Sequence, residues 1–241
     1  MNLELNIKNL SHRFEERVIL DGLNLELPRG QIYSILGATG VGKSLLLRLI
    51  ASIEKVQTGE IRRASDKLSF VFQNQSFIPW LSIRKNFDFT QVRMDDEFIS
   101  TLKKFKLDNF LDSYPSELSG GTLQKLSLVR AFLDKHSLVL LDEPFSHIDY
   151  VQKYELYEFM LELWKSYRPS ILMVTHDIEE ALLLSDKVSL ISQKDKAIKF
   201  TIEIDREKEI QSAESLSELK WTHLSKERFM HFYKHMLEDL R

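Results

Sequence analysis

The chain has 241 residues, 43% of them hydrophobic, with a net charge of −3 and no cysteine. That is enough apolar material for one large α/β domain or two modest ones, and it excludes disulfides, thiol catalysis and thiolate metal sites. The charge balance gives no case for nucleic acid as principal ligand. With no apolar run near the ~18 residues of a membrane span and no signal-peptide pattern at the N-terminus, a soluble intracellular chain is the expectation.

The first thirty residues read as strands. LELNIKNLSHRF (from Leu3) alternates polar and apolar, and VILDGLNLELP runs to Pro28, with Arg29-Gly30 as a turn. QIYSIL (Gln31 to Leu36) is nearly all apolar, the pattern of a strand buried on both faces. After a glycine-rich loop, SLLLRLIASIE reads as a buried helix. KLSFVF (Lys67 to Phe72) reads as a strand, and Asp95 to Leu118 as helical, opening on the acidic residues that a helix N-terminus favours. A helix over Leu123 to Asp134 follows a second glycine loop. LVLLD (Leu138 to Asp142) and ILMVT (Ile171 to Thr175) read as central strands flanking a long helix, YVQKYELYEFMLELWKSY, that stops before Pro169. VSLIS and IKFTIEI are late strands, and the tail, about 213–241, reads as helical with mixed charge. Alternating strands and helices imply a parallel, doubly wound sheet, with an antiparallel sheet built from the N-terminal strands.

Five of the eight glycines fall in the two loops, GATGVGKS (Gly37 to Ser44) and LSGG (Leu118 to Gly121). The first matches G-x-x-x-x-G-K-[S/T] between a strand and a helix, which is the context this phosphate-binding pattern requires. Gly37, Gly40 and Gly42 let backbone conformations closed to other residues turn successive N–H groups of the loop, through Ala38, Thr39 and Val41, onto anionic oxygens. The helix N-terminus adds positive potential, Lys43 has the reach for β- and γ-phosphates, and the Ser44 hydroxyl suits a magnesium ion. A plain glycine turn with an exposed lysine leaves the flanking elements unexplained.

Asp142 and Glu143 follow a buried strand directly. An aspartate there can hold magnesium through its water shell, and a neighbouring glutamate can orient or deprotonate an attacking water. Strand neighbours point to opposite faces, so the two divide the work only if the strand ends there, and Pro144 ends it. LSGG alone is an ordinary helix cap, Ser119 followed by two glycines.

Its place shortly before LLDEP changes that reading. Taken together, GATGVGKS, LSGG and LLDEP make the chain resemble the ATPase subunit of an ABC transporter, with matching motifs from about Phe14 to Ser192. The resemblance implies an ABC-type P-loop NTPase fold of the α/β class: a mainly parallel sheet flanked by helices, an N-terminal antiparallel β subdomain and a small, shortened helical subdomain, about 86–134, within one domain spanning 1–241. It implies ATP and Mg²⁺ as ligands. Phe14 matches the aromatic that stacks on adenine. Gln73 matches the glutamine that contacts magnesium and the attacking water. Ser119, Gly120 and Gly121 match the signature that binds the γ-phosphate across a dimer. SHID, ending at Asp149, matches the loop that crosses that dimer, and His176 in THD the switch histidine beside the γ-phosphate. Catalytic roles then fall to Glu143, His176 and Gln73, and metal contacts to Ser44, Gln73 and Asp142.

The pattern departs from the family at Thr122, where glutamine is usual, at SHID in place of SALD, and at Leu45. QNQSFIPWLSIRKNF is similar to a segment of nitrate, sulfonate and taurine importers, in which Pro79 and Trp80 match a proline–tryptophan pair. In the family this region receives a permease helix, which makes Phe77, Ile78 and Trp80 the expected apolar docking patch. With one phosphate loop and one signature, two copies are needed for two complete sites, on the cytoplasmic face of the membrane. Other readings stay open: a soluble ABC ATPase outside transport, a lipid-export or efflux subunit, and an ATP-gated dimer of low turnover.

Overall fold

The structure is a computed structural model and describes residues 2–73, 77–90, 92–146, 148–205 and 223–239. Strands β1 (Leu3–Phe14) and β2 (Arg17–Pro28) form the expected antiparallel pair. A third strand, β4 (Thr58–Arg63), pairs with the far edge of β1 and completes a three-stranded sheet in the order β2-β1-β4. The sequence reading missed β4. Its residues, TGEIRR, are mostly exposed and lack the apolar alternation that marks a strand, so cross-strand pairing with β1 rather than its own pattern makes it a strand.

The second sheet holds β3 (Ile32–Leu36), β5 (Ser69–Val71), β6 (Leu138–Asp142), β7 (Ser170–Thr175), β8 (Lys187–Ile191) and β9 (Ile198–Glu203) in the order β5-β6-β7-β3-β8-β9. Every pairing is parallel except that of the edge strand β9 with β8. All residues of β3, β6 and β7 are buried, as near-continuous apolar runs covered on both faces must be.

Helix α1 (Lys43–Ile50) leaves the first glycine loop and ends before the expected Glu54. α2 (Ile83–Phe89) and α3 (Asp96–Lys104) follow, capped by the side chains of Ser82 and Asp95. The helix expected over Asp95 to Leu118 is broken. Lys106 takes φ 56°, and only two short 3-10 turns, Asp108–Phe110 and Pro115–Glu117, continue it. A left-handed residue ends an α-helix, and Pro115 cannot supply the amide that an uninterrupted one needs. α4 (Gly120–Leu133) leaves the second glycine loop, α5 (Tyr150–Tyr167) links β6 to β7, α6 (Ile178–Leu184) follows β7, and α7 (His223–Asp239) packs on α6. The part of the expected tail helix before His223 lies outside the described residues. No described helix is long and apolar enough to cross a membrane.

One apolar core joins α2 to α5 with one face of the parallel sheet, and a second joins the three-stranded sheet, α1 and the other face. Phe77 belongs to the first. It is 7% exposed, meets Phe87 edge-on at 6.3 Å, and lies 4.9 Å from the guanidinium carbon of Arg130. The expected surface patch of Phe77, Ile78 and Trp80 is therefore corrected. Phe77 points inward, because a ring that meets Phe87 and Arg130 gains more there than in water. Ile78 is half-buried and Trp80 is 76% exposed. The buried Asn86 shapes this turn: its Oδ1 accepts from the Ile78 amide at 2.6 Å, and its Nδ2 donates to the carbonyls of Ile78, Leu81 and Ser82.

Candidate functional site: a phosphate loop and a glutamate hub

In an open parallel sheet, ligands bind beyond the carboxyl ends of the strands. β6, β7 and β3 are neighbours, and their carboxyl ends carry Asp142 and Glu143, Thr175 and His176, and the loop 37–42. A cavity of about 630 Å³ opens there. Of the residues anticipated from sequence, Phe14, Thr39, Gly40, Gly42, Lys43, Ser44, Gln73, Glu143 and His176 line it.

The loop's backbone explains its composition. Gly40 and Gly42 have φ of 81° and 111°, a region side chains disfavour, and a Cβ on Gly42 would sit 2.9 Å from Ile19 Cγ2. Gly37 does not take a positive φ. It is glycine for lack of room, since a Cβ would lie 2.8 Å from Val41 Cγ1 and 3.2 Å from the Ile191 carbonyl. The Val41 side chain is core, and its amide donates to the Ala38 carbonyl at 3.3 Å.

Glu143 is the hub. Lys43 Nζ lies 3.4 Å from Oε1. Gln73 Nε2 donates to Oε2 at 3.3 Å, and His176 Nδ1 is 3.1 Å from the same oxygen. The hub depends on backbone geometry: β6 stops at Asp142, and Glu143 takes φ 44° with its amide donating to the Val174 carbonyl at 2.9 Å. A left-handed glutamate costs about 1–3 kcal/mol. That turn carries its carboxylate away from the face a continued strand would give it and onto the lysine, the glutamine and the histidine.

Lys43 is 4% exposed and also donates to the carbonyls of Gly37 at 2.8 Å and Ala38 at 3.1 Å. Burial holds its pKa below the usual lysine value, opposed by the charge of Glu143. Asp142 is buried, accepts from the Ser44 hydroxyl at 2.9 Å, and has its pKa raised, chiefly by burial. On the cavity wall, Phe14 is 53% exposed, with His12 edge-on behind it at 5.0 Å. His12 itself is buried.

The second glycine loop is elsewhere. Ser119, Gly120 and Gly121 do not line the cavity. Ser119 caps α4, accepting from the Thr122 amide at 3.2 Å, and its hydroxyl is 2.8 Å from that of Thr122. Asp149 caps α5 through the Gln152 amide at 3.1 Å, and it too lies off the lining, while His147 is outside the described residues. Sequence reasoning missed Ile19, Lys153, Thr175, Asp177 and Glu180, all on the cavity wall. Only the run THDIEE carried a signal for some of them, since the acidic residues after a strand-end histidine open a helix at the site.

Comparison with known proteins agrees with this geometry. Residues 20–146 match the family described as ABC transporter. The chain belongs to that family. It is an ATP-binding cassette, an ATPase. It is 32% identical over 208 residues, covering 85% of this chain and 75% of the relative, to an aliphatic sulfonates import ATP-binding protein of Pseudomonas syringae pv. syringae. Another protein of that description, from Bacillus thuringiensis subsp. konkukian, is 31% identical over 89% of this chain and 93% of its own. Among solved structures, a part of an ABC transporter complex from Clostridium perfringens superposes with a TM-score of 0.75 at 21% identity, covering 96% of this chain and 99% of that one. A dimeric bacterial ABC transporter cassette gives 0.69 at 24%, covering 83% and 98%. At these identities the structural likeness speaks for the cassette's fold alone.

Proposed function

We propose that this cassette is the energy-coupling subunit of an importer for a small solute of the sulfonate, nitrate or taurine kind. The observation that carries its catalytic part is the convergence of Lys43, Gln73 and His176 on the carboxylate of Glu143 at the end of β6. The relatives named as aliphatic sulfonate import proteins support the transport part.

In this reading adenine stacks on Phe14, and the phosphates lie along the loop 37–44, with amide donors and the α1 N-terminus as cradle. Lys43 exchanges its loop carbonyls for the β- and γ-phosphate oxygens. Glu143 accepts the proton of the attacking water, the bond from the γ-phosphorus to the β-bridging oxygen breaks, and ADP and phosphate leave. His176 and Gln73 orient that water and the γ-phosphate through their contacts with the same carboxylate. The hydroxyl of Ser44 and the carboxylate of Asp142, 2.9 Å apart, are hard oxygen donors that fit Mg²⁺, a cation that keeps waters and phosphate among its ligands. When bound, the cation neutralises charge on the β- and γ-phosphates.

Ser119, Gly120 and Gly121, off the cavity wall, serve a second copy, as does the Asp149 segment, in a two-fold nucleotide sandwich. The turn before α2, just ahead of the helical subdomain (about 86–134), presents the exposed Trp80 and the half-buried Ile78 to a membrane permease, with Phe77 as their anchor beneath, and the cassette is peripheral to the membrane through that contact. The test is phosphate release by the cassette purified with its permease. Mg-ATP hydrolysis that Glu143→Gln abolishes is the expected result. Failure to bind Mg-ATP, or recovery on ribosomes in place of a permease, overturns the reading.

A further inference from the structure

The C-terminal helix has no side chain in the cavity wall, yet its end grips a turn that lies behind the phosphate loop. The middle of α7 is anchored by Phe232, 0% exposed, in an apolar cluster with Leu36, Ile178 and Leu190. Leu36 is the residue before the loop, and Ile178 the second after His176. The last turn of α7 holds Glu238 and Asp239 and no basic residue. A carboxylate there faces the negative end of the helix dipole, which costs stability unless a partner offsets it. Glu238 has His235 Nδ1 at 3.1 Å. Asp239 reaches a different element.

That element is the turn 192–197 between β8 and β9. Asp239 Oδ1 accepts from the Ser192 hydroxyl at 2.6 Å, and Oδ2 accepts from the Gln193 amide. Ser192, itself buried, ties the turn from within. Its hydroxyl oxygen accepts from the Asp195 amide at 2.9 Å, its carbonyl accepts from the Lys196 amide at 3.0 Å, and its amide donates to the Ala197 carbonyl at 2.9 Å.

This turn borders both ends of the phosphate loop. Ile191, directly before Ser192, walls Gly37: a Cβ on that glycine would lie 3.2 Å from the Ile191 carbonyl oxygen and 3.7 Å from its Cβ. Ile191 also packs in one cluster with Val41 of the loop and Leu46 of α1. On the other side the Lys196 carbonyl accepts from the Asp21 amide of β2 at 2.9 Å. Ile19 and Leu20, the residues before Asp21, are the ones that crowd Gly42. The loop 37–42 is seated between two strands that the turn 192–197 joins.

We propose that Asp239 is a positioning residue for nucleotide binding. By fixing the turn 192–197 it holds Ile191 and β2 against the two ends of the phosphate loop, so that the loop's amides are aimed before the phosphates arrive. It touches neither nucleotide nor metal, and its role rests on reading 37–44 as the loop that binds nucleotide phosphates. A cradle set in advance binds more tightly because no binding energy goes into ordering it. The amides meet the phosphates in the bound substrate and in the transition state alike, so loosening them raises KM and leaves kcat unchanged. A merely structural role does the reverse: fewer folded molecules lower the apparent kcat at unchanged KM.

The experiment compares the native full chain with Asp239→Ala, Ser192→Ala, the double variant and Asp239→Asn. A fluorescent ATP analogue is titrated onto each, and phosphate release is followed at rising Mg-ATP on the cassette with its permease. Asp239→Ala is expected to raise the analogue's Kd and the KM several-fold at unchanged kcat. Ser192→Ala gives the same shift, and the double variant no more than either, because the two break one contact. Asp239→Asn recovers the native Kd, since its Oδ1 still accepts from the Gln193 amide and its Nδ2 donates to the Ser192 oxygen. A fall in kcat at unchanged KM, additive shifts in the double variant, or no recovery in Asp239→Asn overturns the proposal. Should Asp239→Ala not fold, Ser192→Ala decides: a native Kd there overturns it. A native chain that binds no analogue sinks the reading of the loop and the proposal together, whereas native binding that Asp239→Ala leaves unchanged sinks the proposal alone.

Discussion

The two glycine loops of this chain use the same residue for different ends. In 37–44, glycine answers to the interior: Gly42 is left-handed against Ile19, Gly37 has no room for a side chain, and the lysine that follows is buried on a glutamate from another strand. In 118–121, glycine opens a helix at the surface, where a Cβ on Gly121 would meet only the end of the Gln152 side chain at 3.0 Å. The first loop is determined by contacts within the chain. The second is capped locally by Ser119 and lies off the cavity wall, which fits the proposal that it serves a second copy of the chain.

That contrast can be broken by experiment. The largest expected effect is at the hub: Glu143→Gln lowers phosphate release by about 10²–10⁴-fold while nucleotide binding, followed with a fluorescent analogue, persists. Loss of binding as well would mean that Glu143 is part of the cradle rather than the base.

Next comes pH. Glu180 is neutral in the folded chain up to about 8, against 4.5 for an ordinary glutamate. From pH 4.5 to 8 the unfolded chain therefore ionises while the folded chain does not, so stability falls as pH rises through that window and levels off above it. Relative to the native chain, Glu180→Gln gains on the order of a few kcal/mol across the window, read as midpoints of urea unfolding at a series of pH values. Parallel curves would remove the carboxyl from the interior the contrast relies on.

The glycines themselves come third. Gly42→Ala destabilises by about 1–3 kcal/mol, whereas Gly121→Ala, in a helical first turn, stabilises by about 0.5 kcal/mol yet, if the proposed sandwich holds, lowers the rate about 10²-fold by crowding the phosphate of a second copy. Thermal melts and phosphate release on the same two proteins measure both. Equal melting shifts would erase the distinction between the loops. Smallest is Thr122→Val. It removes the hydroxyl 2.8 Å from that of Ser119 and frees the serine for phosphate, an effect of about 1 kcal/mol that raises the rate about fivefold. An unchanged rate would mean that the Thr122 hydroxyl does not restrain Ser119.

By itself the sequence determined the elements whose patterns are written in short stretches: the buried strands β3, β6 and β7, the phosphate loop between β3 and α1, and the long helix α5. Each rests on local periodicity or on a spacing that a strand-to-helix turn imposes. Tertiary structure decided the rest. β4 exists because β1 offers it an edge. Phe77 lies inside because Phe87 and Arg130 wait there. Glu143 gathers Lys43, Gln73 and His176 because a left-handed turn at the end of β6 aims it at three other segments of chain. The grip of Asp239 on Ser192 and Gln193 was illegible for the same physical reason: its members meet only when α7 packs on α6 and brings its end to the turn after β8, and a sequence read residue by residue does not record which strand end a distant helix reaches.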